Sequence, residues 1–476
     1  MNAKKIASFA LGPVGGAVLG FITLPLVTWF FSQEDVGRMS MLGVAISFSV
    51  LLYTLGLDQA YVREFHESEN TPALLKTTIL PGLILLLLSL GVLFSFGNVI
   101  SQWLFEIDSL LLSIMVALLI LSNFITRFLS LILRMNEEGL AYSMSQLLPK
   151  LLLILIIGSY VVFSAEKNIT NLVLAHVVAA GLVFCIYAWN TRKEWLVAFK
   201  QSIDYSYLKR LLQFGFPLIF GGLAFWGLTA TDRVLLKQLA NFEQLGLYSV
   251  SISFATAAAI FQSIFSTIWA PTVYKWAAAN EKLENIYKVN RYVLLIVIIL
   301  FCLAGLFSWI VTLIVPEQYD EVRWIVISCL GYPLLYTLSE TTVIGIGITR
   351  RSSFSMLASI IAFVGNFVAN WWLIPIFGAA GAAVSTCVAF LIFFILRTEF
   401  SIYLWKPMPR ITLYLYSIIL VAGAVFSTLY GKTYTLESII FWILMLLSVT
   451  LFFKDEIRET KDWIKQKLKN RTISSL

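Results

Sequence analysis

The sequence predicts an all-α integral membrane protein of about fourteen transmembrane helices, and three observations carry that expectation. Of its 476 residues, 59% are hydrophobic and only 13% are charged, against about 45–50% and 25% in soluble domains. The apolar residues gather in runs long enough to cross a bilayer, about 20 residues each. Lysine and arginine are shared unequally between the segments that alternate across those runs. This charge deficit extends along the whole chain and excludes a single soluble core. The formal charge of +7 is accounted for by basic loops on one side of the membrane, so no nucleic-acid partner is implied.

In chain order, spans are expected near 8–31, 39–57, 75–97, 109–133, 141–163, 169–190, 208–231, 244–268, 289–315, 323–346, 353–374, 379–400, 411–430 and 436–453. The first run follows Lys4 and Lys5. It is too long for a signal-peptide core and lacks a clear cleavage site, so it is assigned as a span. Links such as "FSQEDVGR" and "IPIFGAAG" are short, and none leaves room for a separate soluble domain.

With the N-terminus inside, 28 of the 34 lysines and arginines fall on the cytoplasmic side or at its helix ends, and six fall outside. The inner set includes Arg63, Lys76, Arg192, Arg350, Arg397 and the tail; the outer set is Arg38, Lys167, Arg233, Lys237, Arg323 and Lys432. An even number of spans returns the C-terminus to the cytoplasm. In the tail "KDEIRETKDWIKQKLKNR", Ile457, Trp463, Ile464 and Leu468 share one helical stripe among lysines. An interfacial helix on anionic lipid and a solvated charged tail both fit that pattern.

The stretches "EDVGRMSMLGVAISF" (34–48) and "EQLGLYSVSISFATA" (243–257) repeat each other. Glu34, Gly37 and Ser40 align with Glu243, Gly246 and Ser249. The glycine is expected to end a turn, and the acidic residue favours the following helix N-terminus. Two six-helix halves follow, 1–200 and 201–405, with helices 13 and 14 at 406–453 and an amphipathic cytoplasmic tail at 454–476. Parallel halves related about the membrane normal are a transporter architecture with a substrate path between them.

Several chemistries are missing. Cys185, Cys302, Cys329 and Cys387 lie in apolar runs without metal-ligand spacing, and only His66 and His176 are present. These cysteines are expected to be small buried hydrophobes. No G-x-x-x-x-G-K-[ST] loop occurs, so ATP hydrolysis is not built in. No catalytic constellation, metal site or cofactor motif is visible, and an enzyme is not expected.

The stretch "FSQEDVGRMSMLGVAISFSVLLYTLGLDQAYVREF" (31–65) resembles the opening of Wzx-type polysaccharide flippases, of the superfamily that also holds MATE exporters and the lipid II flippase. Its matching features are the Glu34–Gly37 turn and then Gly56, Leu57, Asp58 and Arg63. "TDRVLLKQLANFEQLGLYS" (231–249) and "IPIFGAAGAAVSTCVAF" (374–390) extend the resemblance over essentially the whole chain. It implies a flippase moving an undecaprenyl-pyrophosphate-linked oligosaccharide from the inner to the outer leaflet of the bacterial inner membrane. The implied partners are that substrate and membrane lipids, with glycan polymerase machinery and H+ or Na+ as candidates; an ion gradient, the membrane potential and consumption of product all stay open as the driving force. The alternatives are a MATE-type multidrug/cation antiporter, whose site should be acidic, and a lipid II flippase, for which arginines in helix 1 would be expected. "LGPVGGAVLGFITLPLVTWF" has none.

A pyrophosphate-bearing substrate calls for cations in a cavity. The candidates are Lys150, Arg127 and Arg291. Snorkelling to the headgroups is the competing reading for both arginines and is favoured for Arg291. Lys150 lies near the midplane if its helix begins at Ala141, but at the interface if the helix begins at Pro149, where proline suits the first turn. Glu340 is an intramembrane carboxylate, suited to ion coupling, to pairing with a cavity cation or to a structural ion pair. Asp58 and Arg63 are expected to pair across a turn as a gate element, and Asp232 with Arg233 to form an outer interfacial pair or cap. Asn366 and Asn370, one turn apart, are assigned to helix–helix hydrogen bonding.

Overall fold

A backbone in hydrocarbon must satisfy its N–H and C=O groups internally, so each apolar run closes into a helix. The structure, a computed structural model, describes residues 3–278 and 284–462. Every regular element among them is helical, and the chain forms two compact units.

The first unit is Met1–Ser253 with Val315–Tyr319. It contains α1 (Ala3–Phe30), α2 (Gln33–Tyr53), α3 (Leu57–Glu64), α4 (Thr71–Ser95), α5 (Val99–Phe105) and α6 (Leu110–Met135). There follow α7 (Gly139–Val162), α8 (Ile169–Asn190), α9 (Arg192–Lys200), α10 (Tyr205–Leu239) and the start of α11 (Phe242–Ala278). Polar caps set many of these boundaries. The side chains of Ser32, Asn70, Ser109 and Asn168 each accept from a backbone N–H three residues on, satisfying donors that a helix start leaves open. Asp204 caps α10, and the Ser206 hydroxyl followed by the Tyr207 N–H holds its carboxyl below the ordinary value.

The second unit is Phe254–Ile314 with Asp320–Leu476. After the remainder of α11 come α12 (Glu284–Phe307), a 3-10 turn at Ser308–Leu313, α13 (Val322–Cys329), α14 (Gly331–Thr342) and α15 (Ile344–Ile348). The last are α16 (Ser353–Leu404), α17 (Ile411–Tyr430) and α18 (Thr435–Phe452). The division between units thus lies within α11, whereas the sequence repeat divides at 200/201.

Twelve helices among the described residues are long and apolar enough to cross a membrane. One of them, α16, is two helices joined at Gly378, whose φ of 54° and ψ of −127° interrupt the helix. That conformation suits a residue without a Cβ. The fourteen expected spans are reached only by dividing α16 and adding α1, whose apolar stretch Gly15–Phe30 is shorter. Apolar side chains such as Leu88, Val92, Trp372 and Leu444 are exposed, as a lipid-facing surface requires.

Two expected elements differ. Helix 2, expected at 39–57, begins at Gln33 and ends at Tyr53, because the Ser32 cap and acidic first turn start it early. Gly37 therefore does not end a turn but lies inside the first turns of α2. Asp58 and Arg63 belong to the separate helix α3, entered through Gly56 at a φ of 68°. Helix 10, expected at 323–346, is one span over Val322–Thr342, in which α13 and α14 meet at Leu330, and the short helix α15 follows it separately. The interfacial stripe of the tail lies mostly outside the described residues, since Trp463, Ile464 and Leu468 are beyond 462.

Candidate functional site: buried charges and a polar cavity

In the first unit, α7 begins at Gly139 and carries Pro149 within it. The interfacial start at Pro149 is thereby excluded. Lys150 is the twelfth of 24 helical residues, about 16 Å from the helix start at 1.5 Å per residue. Its ammonium reaches across to α1 and donates to the Gly16 carbonyl. Small residues make this approach possible: a Cβ on Gly20 would lie 3.2 Å from Lys150 Nζ and one on Gly16 3.8 Å from it. No carboxylate among the described residues forms a salt bridge with Lys150.

Arg127 is neutralised differently. Its Nη2 and Nε donate to Asp58 Oδ2 at 2.6 and 3.1 Å. Gln59 Nε2 donates to the same oxygen at 2.9 Å. Asp58 occupies the first turn of α3, where the helix dipole favours a carboxylate. The expected Asp58–Arg63 pair is therefore corrected. Arg63 meets Glu64 at 3.8 Å and stacks on the Phe214 ring at 4.4 Å.

The expected outer pair of Asp232 with Arg233 is corrected as well. Asp232 is fully buried and accepts from the Tyr248 hydroxyl. It ties α10 to the start of α11.

In the second unit, Glu340 Oε1 pairs with Arg397 Nη1 at 2.9 Å, both side chains largely buried. Arg397 Nη1 also donates to Ser339 Oγ at 2.7 Å, and its guanidinium lies over the Phe393 and Tyr336 rings at 4.9 and 5.3 Å. The Trp269 indole N–H donates to the Glu340 carbonyl at 3.0 Å. Glu340, Arg397 and Trp269 edge a cavity of about 440 Å³ whose lining also includes Arg350, Ser352 and Ser355. A cavity of that size with several polar partners can hold water.

Arg291 stands apart from that cavity. Its Nε pairs with Glu456, its Nη2 donates to the Phe452 carbonyl at 3.3 Å, and the guanidinium lies 5.6 Å from the Phe453 ring. It fastens α12 to the chain leaving α18. Asn370 Nδ2 donates to Asn366 Oδ1 at 3.1 Å, with both residues buried.

Arg397, Arg350 and Tyr248 escaped the reading of the sequence. Arg397 was assigned to a cytoplasmic helix end, yet it lies seven residues before the last residue of α16. The available signal was its coexistence with Glu340 inside neighbouring apolar runs. Among the described residues no cluster of His, Cys, Asp or Glu suits a metal ion, and all four cysteines are free.

Residues 3–277, more than half of the chain, match the family described as "Polysaccharide biosynthesis protein". The chain belongs to that family. This polysaccharide biosynthesis protein is 22% identical over 242 residues to the capsular polysaccharide biosynthesis protein CapF of Staphylococcus aureus. That match covers 48% of the chain and 59% of CapF, so the chain spans less than two thirds of the relative. Among solved structures it resembles the lipid II flippase MurJ in an inward closed conformation, with a TM-score of 0.66 at 14% identity. The alignment covers 94% of this chain and 99% of that one. It also resembles an inward-facing multidrug resistance MATE family transporter, with a TM-score of 0.54 at 13% identity over 81% of this chain and 93% of that one. The polysaccharide biosynthesis protein therefore shares the fold of these two solved structures. Within this fold Lys150 has no carboxylate partner among the described residues, whereas Arg127 pairs with Asp58 and Arg397 with Glu340.

Proposed function

We propose that the protein is a flippase carrying an undecaprenyl-pyrophosphate-linked oligosaccharide from the inner to the outer leaflet of the bacterial inner membrane. It works by alternating access without ATP hydrolysis, with both termini in the cytoplasm. The observation that carries this reading is Lys150. An ammonium at mid-helix costs roughly 2.5–3.5 kcal/mol on insertion scales, and its described partner is a single backbone carbonyl. A pyrophosphate passing through the protein supplies the missing negative charge. Arg127, half-exposed beside Asp58, is a second contact that can exchange its carboxylate for phosphate. Glu340 with Arg397 is the candidate coupling pair, because a polar cavity gives a proton or sodium ion access to it.

A MATE-type cation antiporter fits these residues less well. An organic cation needs a carboxylate to receive it, and Glu340 and Asp58 are each held by an arginine.

Deletion of the gene followed by analysis of lipid-linked oligosaccharides tests the proposal. One repeat unit should accumulate on its lipid carrier in the inner leaflet. A deletion strain with an unchanged pool and normal surface glycan would overturn it.

A further inference from the structure

A second cavity lies in the first unit, away from the charged groups. It is open-sided, holds about 280 Å³, and is lined from four helices by Lys76 and Leu83 of α4, Leu129 of α6, Phe184 of α8, and Trp195 and Phe199 of α9. Its lining is aliphatic and aromatic, with Lys76 offering its stem because its ammonium is engaged elsewhere. Lys76 Nζ donates to the Phe199 and Gln201 carbonyls at 2.9 and 2.6 Å. Water finds few partners in such a space.

The cavity has a fixed roof. The Lys76 bonds hold the C-terminal end of α9 to α4, and the cation also satisfies carbonyls that a helix end leaves open. The Trp195 indole N–H donates to the Ala188 carbonyl of α8 at 2.7 Å, and Trp195 and Phe199 meet edge to face at 5.7 Å. Two anchors to two different helices keep α9 from collapsing into the space beneath it.

The outer side of α9 has the composition of an interfacial helix. Leu196 and Val197 are exposed apolar residues. Arg192, Lys193 and Lys200 add three positive charges against the single Glu194, and Glu194 is engaged by Asn136 at 3.3 Å. A short amphipathic helix with basic ends attracts anionic lipid headgroups.

We infer that this cavity binds one acyl chain of an anionic phospholipid, with the headgroup phosphate at the basic residues of α9. The placement fits this occupant: with the headgroup at α9, which roofs the cavity, the headgroup-proximal methylenes of a single acyl chain run into the apolar space beside Leu83, Leu129 and Phe184. The charge selects an anionic headgroup over a zwitterionic one. The inference does not depend on what the protein transports, and its test reads lipid contact alone.

The full-length protein is reconstituted in phosphatidylcholine vesicles doped with phosphatidylglycerol that carries a photoactivatable group in the headgroup-proximal half of one acyl chain. After illumination, labelled peptides are mapped by mass spectrometry. Label should concentrate on residues 75–83 and 195–199. It should fall several-fold in Leu83→Trp, which fills the cavity, and in the competing presence of unlabelled phosphatidylglycerol. The exposed double variant Lys193→Gln/Lys200→Gln should reduce the preference for phosphatidylglycerol over phosphatidylcholine by roughly tenfold while leaving thermal stability unchanged. Label spread evenly over all lipid-facing helices would overturn the site. Equal labelling by the two lipids in the unmodified protein would overturn the anionic preference. Displacement of the label by polyprenyl phosphate, and not by phosphatidylglycerol, would assign the cavity to a different lipid.

Discussion

Gly37 and Gly246, the equivalent glycines of the internal repeat, pack against each other's helix starts. A Cβ on Gly37 would lie 2.0 Å from the Phe242 carbonyl oxygen and 3.1 Å from the Gly246 nitrogen, and one on Gly246 would lie 2.2 Å from the Gln33 carbonyl oxygen. Backbone cannot swing aside as a side chain can. Gly37→Ala should therefore lower stability by about 1–3 kcal/mol, the range of overpacking. Gly43, in the same helix, has nothing within 4 Å of its Cβ position, so Gly43→Ala should be neutral or stabilising by up to ~1 kcal/mol. Thermal unfolding of the purified variants compares the two, and equal midpoints would show that the contact is not tight.

Asp58 and Arg127 should be energetically coupled. Arg127→Gln or Asp58→Asn alone leaves one charge without its partner and should cost about 1–2 kcal/mol. That is below the 3–5 kcal/mol of a fully buried pair, because the arginine is 37% exposed. The double variant should cost less than the sum of the two, and a double-mutant cycle on thermal stability measures the difference. Strict additivity would mean that the pair contributes nothing.

Lys150→Ala should abolish export at normal protein level, while Lys150→Arg should retain part of it. Surface glycan measured against the amount of protein in the membrane gives the readout. Wild-type export by Lys150→Ala would reduce this lysine to a helix anchor on the Gly16 carbonyl.

The Glu340–Arg397 pair separates structure from coupling. Removing one partner of a buried pair is strongly destabilising, about 3–5 kcal/mol, whereas removing both is often close to neutral. Arg397→Met should therefore be rescued in stability by adding Glu340→Gln. If Glu340 takes part in ion coupling, the rescued protein stays inactive in transport. Normal export by the rescued double variant, across pH and sodium conditions, would leave the pair a purely structural one.

Reporter fusions after Lys167 and Lys432 should be outside, and fusions after Arg192 and Lys406 inside. This follows from the unequal distribution of lysine and arginine. A reversed signal at either pair would overturn the assigned orientation.

Helix class and membrane residence were legible because they depend on local runs of apolar residues, and hydrocarbon leaves the backbone no other way to satisfy its polar groups; the number of spans was not, since twelve helices among the described residues are long and apolar enough to cross. The motifs in 31–65 and 231–249, both inside the matched residues 3–277, likewise carried the family. Lys150 was found from sequence because a lone charge in an aliphatic run needs no partner to be conspicuous. Which partner each charge takes was decided only by tertiary packing. Asp58 lies five residues from Arg63 yet pairs with Arg127, and Glu340 meets an arginine 57 residues away. Such pairings depend on which helix faces come together, and every charged residue offers several matches along the chain. Glycines at 16 and 20 gave no chemical signal of their own, yet the space they leave lets the Lys150 ammonium reach α1. A one-dimensional pattern records where apolar length lies; the close approach of two helices, and the charge neutralised or left open between them, exists only once the chain has folded.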